Sequence, residues 1–252
     1  MNNVFGIDKV LNYLRDHADS YVVIGGTATK ILLEESGLDF RETKDFDIVL
    51  LAEASNTEFA KNLVNFLKDG KYQKGFSNGK KICYRFVNPI TPGYPKIIEL
   101  FASQENASLN RYLKKIPIVD DEEQLSAIVL MEDLLNFVKQ RRIITKDGLP
   151  IVDSLGIIAI KTYAYFENLK LYEEGKIEGK TAFLKHRNDI IRLTLSLRED
   201  MASIALPPML EESTIKFLDV FKKSSDAYKS IPHGMIKLEE LVDVFRKVFC
   251  KK

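Results

Sequence analysis

Cysteine is scarce in this chain. Only Cys83 and Cys250 occur among 252 residues, far apart in sequence. Two such thiols build no disulfide framework and are expected to stay reduced in a cytosolic protein. A dominant charge sign is also missing: 37 Lys and Arg face 36 Asp and Glu, leaving a formal net charge of +1. No global attraction to nucleic acid or membrane follows, so any such attraction must come from local patches. Long apolar runs are absent, and no uncharged stretch approaches the roughly 20 residues that cross a bilayer. Residues 1–20 carry Asp8, Lys9, Arg15, Asp16 and Asp19, which breaks up the apolar core a secretory signal needs. Internal repeats and low-complexity segments are likewise absent. The expectation is a soluble, cytoplasmic protein without a membrane partner.

What is present is an ordinary globular composition, 45% apolar and 29% charged, with enough chain for one large core or two modest ones. The first 115 residues mix strand and helix patterns. Val4, Ile7, Val10, Leu11 and Leu14 recur at helical spacing. Residues 21–24 read as a short buried strand, 27–35 as a helix ended by Gly37, and 45–51 as a second strand. A helix over 57–67, with Thr57 as a cap, precedes strands over 82–87 and 96–101, which a proline- and glycine-rich loop separates. Beyond residue 115 the pattern becomes mainly helical. A strand near 126–129 leads to helices over 131–142, from 154 onward, and over 181–197, 211–222 and 236–248. The predicted fold class is α+β: a mixed sheet domain over 1–115, then a mainly helical domain over 116–252 that completes an active-site cleft.

The chemistry concentrates in residues 21–51. Asp45 and Asp47 lie two residues apart on the second strand, so their side chains share one face, with Cα atoms about 6.5–7 Å apart. Aspartate is depleted in strands, yet Phe46, Ile48 and Leu50 form a clear apolar face opposite the pair. A single acid there could be solvated at a sheet edge. Two aligned acids after a glycine turn are better explained by a divalent cation, with Mg²⁺ the best match to carboxylates shared with substrate phosphates. Gly25-Gly26-Thr27 follows the first strand and opens a helix, where backbone N–H groups can approach an anion. Alone, this turn is better explained by backbone geometry. It has neither the Lys-Ser or Lys-Thr of a Walker loop nor the third glycine of the dinucleotide fingerprint. Glu99 interrupts an apolar strand and needs a partner. Either it completes a metal site or it pairs with a lysine at a sheet edge.

Together, Ile24-Gly25-Gly26-Thr27-Ala28 and the run Arg41, Thr43, Asp45 and Asp47 resemble the DNA polymerase β-like nucleotidyltransferase superfamily. The spacing Arg-x-Thr-x-Asp-hydrophobic-Asp is most similar to its AbiEii-type toxin group, from type IV toxin–antitoxin systems. That group carries a lysine and then an aspartate on later helices, matched here by Lys161 and Asp189. Glu99 stands where aspartate is commoner in the superfamily. The resemblance implies nucleotide contacts from Gly25, Gly26, Thr27, Arg41 and Thr43. It implies catalytic roles for Asp45, Asp47, Glu99, Lys161 and Asp189, with the metal held by Asp45, Asp47 and Glu99. Lys161 would meet the phosphates, and Asp189 would organise Lys161 or the acceptor.

Read without the resemblance, Lys161 either snorkels to the surface or enters a polar cleft, Asp189 is an acid near a helix start, and His186 and Arg187 are a solvated face. The segment 68–85 is basic, with Tyr72, Phe76 and Tyr84 interleaved. It suits either a nucleic-acid strand or a lysine-protected edge hairpin.

The expected activity is Mg²⁺-dependent transfer of a nucleoside monophosphate from an NTP to an acceptor hydroxyl, with RNA, such as a tRNA 3′ end, as acceptor. The resemblance adds a toxin role and a partner antitoxin. The alternatives are a small-molecule nucleotidyltransferase of the antibiotic-modifying kind, or a catalytically silent nucleotide-binding module.

Overall fold

The computed structural model describes residues 4–51, 57–77, 80–103, 113–116, 125–198, 201–229 and 236–250. The architecture is α+β, a mixed sheet with helices followed by a helical C-terminal part. Contacts divide the chain into two compact units, Met1–Ile31 with Arg41–Val152 and Leu32–Phe40 with Asp153–Lys252. The break thus falls at 152/153 rather than the expected 115/116. The strands between residues 113 and 152, the one expected near 126–129 among them, pair into the sheet and so belong to the first unit.

The first unit opens with helix α1, Ile7–Leu14, which buries Val10, Leu11 and Leu14. Strand β1, Tyr21–Ile24, runs into helix α2, Gly25–Glu35, and strand β2, Asp45–Leu50, follows. Helix α3 is Thr57–Asp69; β3, Gln73–Ser77, and β4, Lys80–Val87, form an antiparallel hairpin; β5 is Ile97–Ser103. Strands β6, Leu113–Ile116, and β7, Leu125–Leu130, lead to α4, Glu132–Gln140. Two three-residue strands, β8, Arg142–Ile144, and β9, Pro150–Val152, close the unit. The strand order is β3-β4-β5-β2-β1-β9-β8, with β7 also pairing β5 and β6 pairing β7.

Alternation along the central strands separates a core face from a polar one. Phe46 and Ile48 of β2, Ile98 and Leu100 of β5 and Phe86 of β4 are all buried, and register aligns Phe46 with Ile98 and Ile98 with Phe86. Aromatic contacts extend this core: Tyr21 stacks on Phe59 of α3, and Phe66 of α3 packs against Tyr13, Tyr72 and Tyr94. Tyr72, an aromatic of the basic segment, is thus packed within the sheet unit. Its ring lies in this cluster and its hydroxyl donates to the Pro95 carbonyl at 2.6 Å. Within residues 68–85, β3 and the start of β4 pair as an antiparallel hairpin, with β3 at the end of the strand order. The side chains of Phe76 and Cys83, like that of Thr57, lie outside the described residues.

The second unit contains helices α5, Ser154–Glu173; α6, Thr181–Leu195; α7, Pro208–Lys222; α8, Ser225–Lys229; and α9, Leu238–Phe249. The Asp153 side chain caps α5 by accepting from the Gly156 N–H, satisfying one of the donors a helix start leaves open. Pro208 sits at the start of α7, where a missing N–H costs nothing. Tyr165 of α5 meets Phe183 and Phe217 edge-on, and Phe217, Phe221 and Phe245 are fully buried around them. Among the described residues no helix is long and apolar enough to cross a membrane.

Candidate functional site

The β1–α2–β2 connection brings the predicted residues of the first unit together. The antiparallel pairing of β1 and β2 sets Ile24 opposite Asp47, so the chain leaves β1 directly beside that carboxylate. Gly25 then adopts a left-handed backbone, φ +69°, and a Cβ placed on it would lie 1.8 Å from Asp47 Oδ2. Glycine is required there twice over, by conformation and by space. Gly26 is crowded as well: a Cβ would meet Thr43 Oγ1 at 2.8 Å, with an Arg41 guanidinium nitrogen 3.9 Å away. Helix α2 begins at Gly25 itself rather than at residue 27. The leading N–H groups of a helix have no acceptor within it, and here they belong to Gly25, Gly26 and Thr27. Asp47, Thr43 and Arg41 thus converge on a diglycine helix start.

Thr27 differs from expectation. Its side chain is fully buried, and its hydroxyl donates to the backbone carbonyl of Asp45 at 2.6 Å. That proton ties the first turn of α2 to the start of β2, so only the backbone of Thr27 can face an anion. Thr29 donates to the Gly25 carbonyl at 2.7 Å, an ordinary bond back along the helix.

Asp45 and Asp47 share the face opposite Phe46, and along that face exposure falls steadily. Asp45 is exposed, Asp47 half-buried and Val49 fully buried. The pair therefore sits where the strand passes from solvent into the interior. Glu99 lies beside Asp47 in the parallel β2–β5 register, and Arg85 lies beside Glu99 in the antiparallel β4–β5 register. Side chains of directly paired residues project to the same face, so Asp47, Glu99 and Arg85 form one row across three strands. Within it Arg85 Nε stands 3.3 Å from Glu99 Oε1. The partner of Glu99 is thus an arginine of the neighbouring strand, not an edge lysine. Among the described residues no three His, Cys, Asp or Glu side chains are gathered closely enough to hold a metal ion. The expected Asp45, Asp47 and Glu99 set is aligned but not drawn together.

In the second unit, Lys161 neither snorkels nor reaches an open cleft. Helix α5 is buried round most of its circumference, through Ile157, Ile158, Ala159, Lys161, Thr162 and Tyr165. The Lys161 ammonium donates to Asp189 Oδ2 on α6 at 2.8 Å, with side-chain exposures of 6% and 1%. Nearby on α6, Arg187 is mostly buried and grips Asp226 of α8 through its two terminal guanidinium nitrogens, at 3.2 and 2.8 Å. That guanidinium holds the Asp226 carboxyl below the usual aspartate range. His186 approaches Asn168 at 3.4 Å. These two residues are packed into the helical unit and are not the solvated face their charges suggested.

Two of these arrangements escaped sequence reasoning. Arg85 sits in a basic stretch where nothing distinguishes it from its lysine neighbours; only register gives it Glu99. Thr27 reads as a phosphate ligand until its hydroxyl is seen to be engaged. Cys250 is a free, half-buried thiol whose pKa burial raises. No family model and no curated protein matches this chain.

Proposed function

We propose that this chain is a metal-dependent nucleotidyltransferase that moves a nucleoside monophosphate from an NTP to an acceptor hydroxyl on RNA. The observation that carries the proposal is the Asp47 carboxylate packed against Gly25 at the start of α2. A phosphate cradle and a cation-binding carboxylate there adjoin within one local unit. Asp45 and Asp47 offer hard oxygen donors on one face, a donor set that fits Mg²⁺ and leaves room for substrate phosphates. When bound, Mg²⁺ supplies charge neutralisation at the triphosphate and acidifies the attacking hydroxyl.

The chain's own groups supply the rest. Backbone N–H groups of Gly25, Gly26 and Thr27 bind phosphate oxygens at the positive end of α2. Arg41 adds an exposed guanidinium close to Gly26, suited to fork-like phosphate contacts. Thr43 is a buried hydroxyl against the same glycine and shapes the cradle floor. Asp189 fixes the Lys161 ammonium within the helical unit, and the resemblance gives this pair a catalytic role. The resemblance extends the proposal to a cytoplasmic toxin of a type IV toxin–antitoxin system, with a tRNA acceptor and a protein antitoxin as partner.

The test is incubation with each labelled NTP in turn, Mg²⁺ and total RNA, followed by separation of the RNA. Label should enter RNA with the wild-type chain and not with D45N/D47N. Undiminished transfer by that double variant would sink the proposal.

A further inference from the structure

The row Asp47–Glu99–Arg85 gives the third carboxylate two possible partners. In the parallel register Glu99 neighbours Asp47 on one side, and in the antiparallel register it neighbours Arg85 on the other. Adjacent strands lie about 4.8 Å apart, so a glutamate, one methylene longer than aspartate, can reach toward either. In the structure it is turned to Arg85, Nε to Oε1 3.3 Å. That ion pair is partly open to water, with side-chain exposures of 43% for Arg85 and 25% for Glu99. Pairs of this kind are weak, because water screens the attraction and two flexible side chains must be held still. A divalent cation beside Asp45 and Asp47 attracts a carboxylate more strongly than a half-solvated guanidinium does.

We propose that Arg85 is a positioning residue that keeps Glu99 in reserve, so that Glu99 becomes a third cation ligand only by leaving Arg85. The inference rests on the assignment of Asp45 and Asp47 as the cation site and deepens it. The resting site has two carboxylates, with the charge of Glu99 neutralised on the far side. A cation therefore binds against a cost equal to breaking one weak ion pair. The site stays undercommitted to free cation and gains its third ligand when an added positive charge draws Glu99 across.

The experiment is calorimetric titration with Mn²⁺ alone, on wild type, R85Q, E99Q, R85Q/E99Q, R85K and D45N/D47N. All are first compared by thermal unfolding; residues 85 and 99 are partly exposed and outside the core, so these variants should fold. Wild type should bind Mn²⁺ through Asp45 and Asp47. R85Q should bind roughly two- to fivefold tighter, the range a half-exposed ion pair allows. In the E99Q background the Arg85 substitution should change affinity by less than half as much on a logarithmic scale. R85K, which keeps a cation opposite Glu99, should lie near wild type.

Equal affinity of R85Q and wild type would overturn the inference while leaving the carboxylate site intact. So would an Arg85 effect of the same size in the E99Q background, since Arg85 would then act through its general field. Mn²⁺ binding that is absent from wild type, or unchanged in D45N/D47N, would overturn the cation site itself and the inference with it.

Discussion

The two units carry charge in opposite ways. In the sheet unit the charged row is graded and open: Asp45 is exposed, Asp47 half-buried, and Glu99 meets Arg85 across partly solvated strands. In the helical unit Lys161 and Asp189 are closed off together, at 6% and 1% side-chain exposure. The open row can exchange partners cheaply, because water compensates whatever is released. The closed pair cannot, since a lone buried charge has nothing to replace its lost partner. One arrangement suits a ligand that comes and goes, the other a fixed orientation of a single ammonium.

The comparison breaks most decisively at the acids of β2. D45N or D47N should reduce nucleotide transfer to background with little change in melting temperature, because both carboxylates lie on the open face. A large loss of stability in either variant would make them structural instead. Next comes the closed pair: D189A should cost about 3–5 kcal/mol by stranding the Lys161 ammonium, read as a lowered urea midpoint. K161M/D189L, which removes both charges, should regain most of that stability. If this double variant is stable and inactive, the pair serves the reaction; if it is stable and fully active, the pair is only part of the core.

Gly25→Ala tests how tightly the carboxylate and the helix start are coupled. Left-handed backbone alone should cost about 1–2 kcal/mol, and the added Cβ must also displace Asp47 Oδ2. Transfer should therefore fall further than the stability loss explains, as shown by assays run well below the variant's melting temperature. Thr27→Val removes the bond to the Asp45 carbonyl and should lower stability by about 1 kcal/mol, with activity largely kept. A collapse of activity at unchanged stability would restore the hydroxyl as a ligand.

The smallest effect belongs to Asp226. Arg187 depresses its folded-state pKa, so the pair's contribution is present above the unfolded aspartate range and disappears as pH falls through the lower folded value. The stability gap between wild type and D226N should accordingly narrow on acidification, measured by urea unfolding across the acidic range. A gap that widened instead would reverse the assigned direction.

Legibility in the sequence followed the range of the interactions. β1, α2 and β2 were readable because a buried β-branched strand, a diglycine and alternating acids announce themselves within a few residues. Helix α5 was readable from its start, through Pro150 and the periodic residues after Ser154. Strands β8 and β9 were not, because three residues carry no period and only pairing defines them. The boundary at 152/153 was lost with them. Arg85 was hidden for a related reason: its partner is chosen by the register of β4 against β5, and no property of the residue itself encodes that.

Composition and local pattern were sufficient to specify an α+β chain with an acidic strand behind a glycine-led helix, since alternation and backbone freedom are properties of neighbouring residues. Tertiary structure alone decided that Asp47 rests on Gly25, that the hydroxyl of Thr27 is spent on Asp45, and that Glu99 faces Arg85. Each of these depends on which residue of one strand lies opposite which residue of another. Hydrogen-bond register makes that choice between segments distant in the chain, where short-range patterns have no reach.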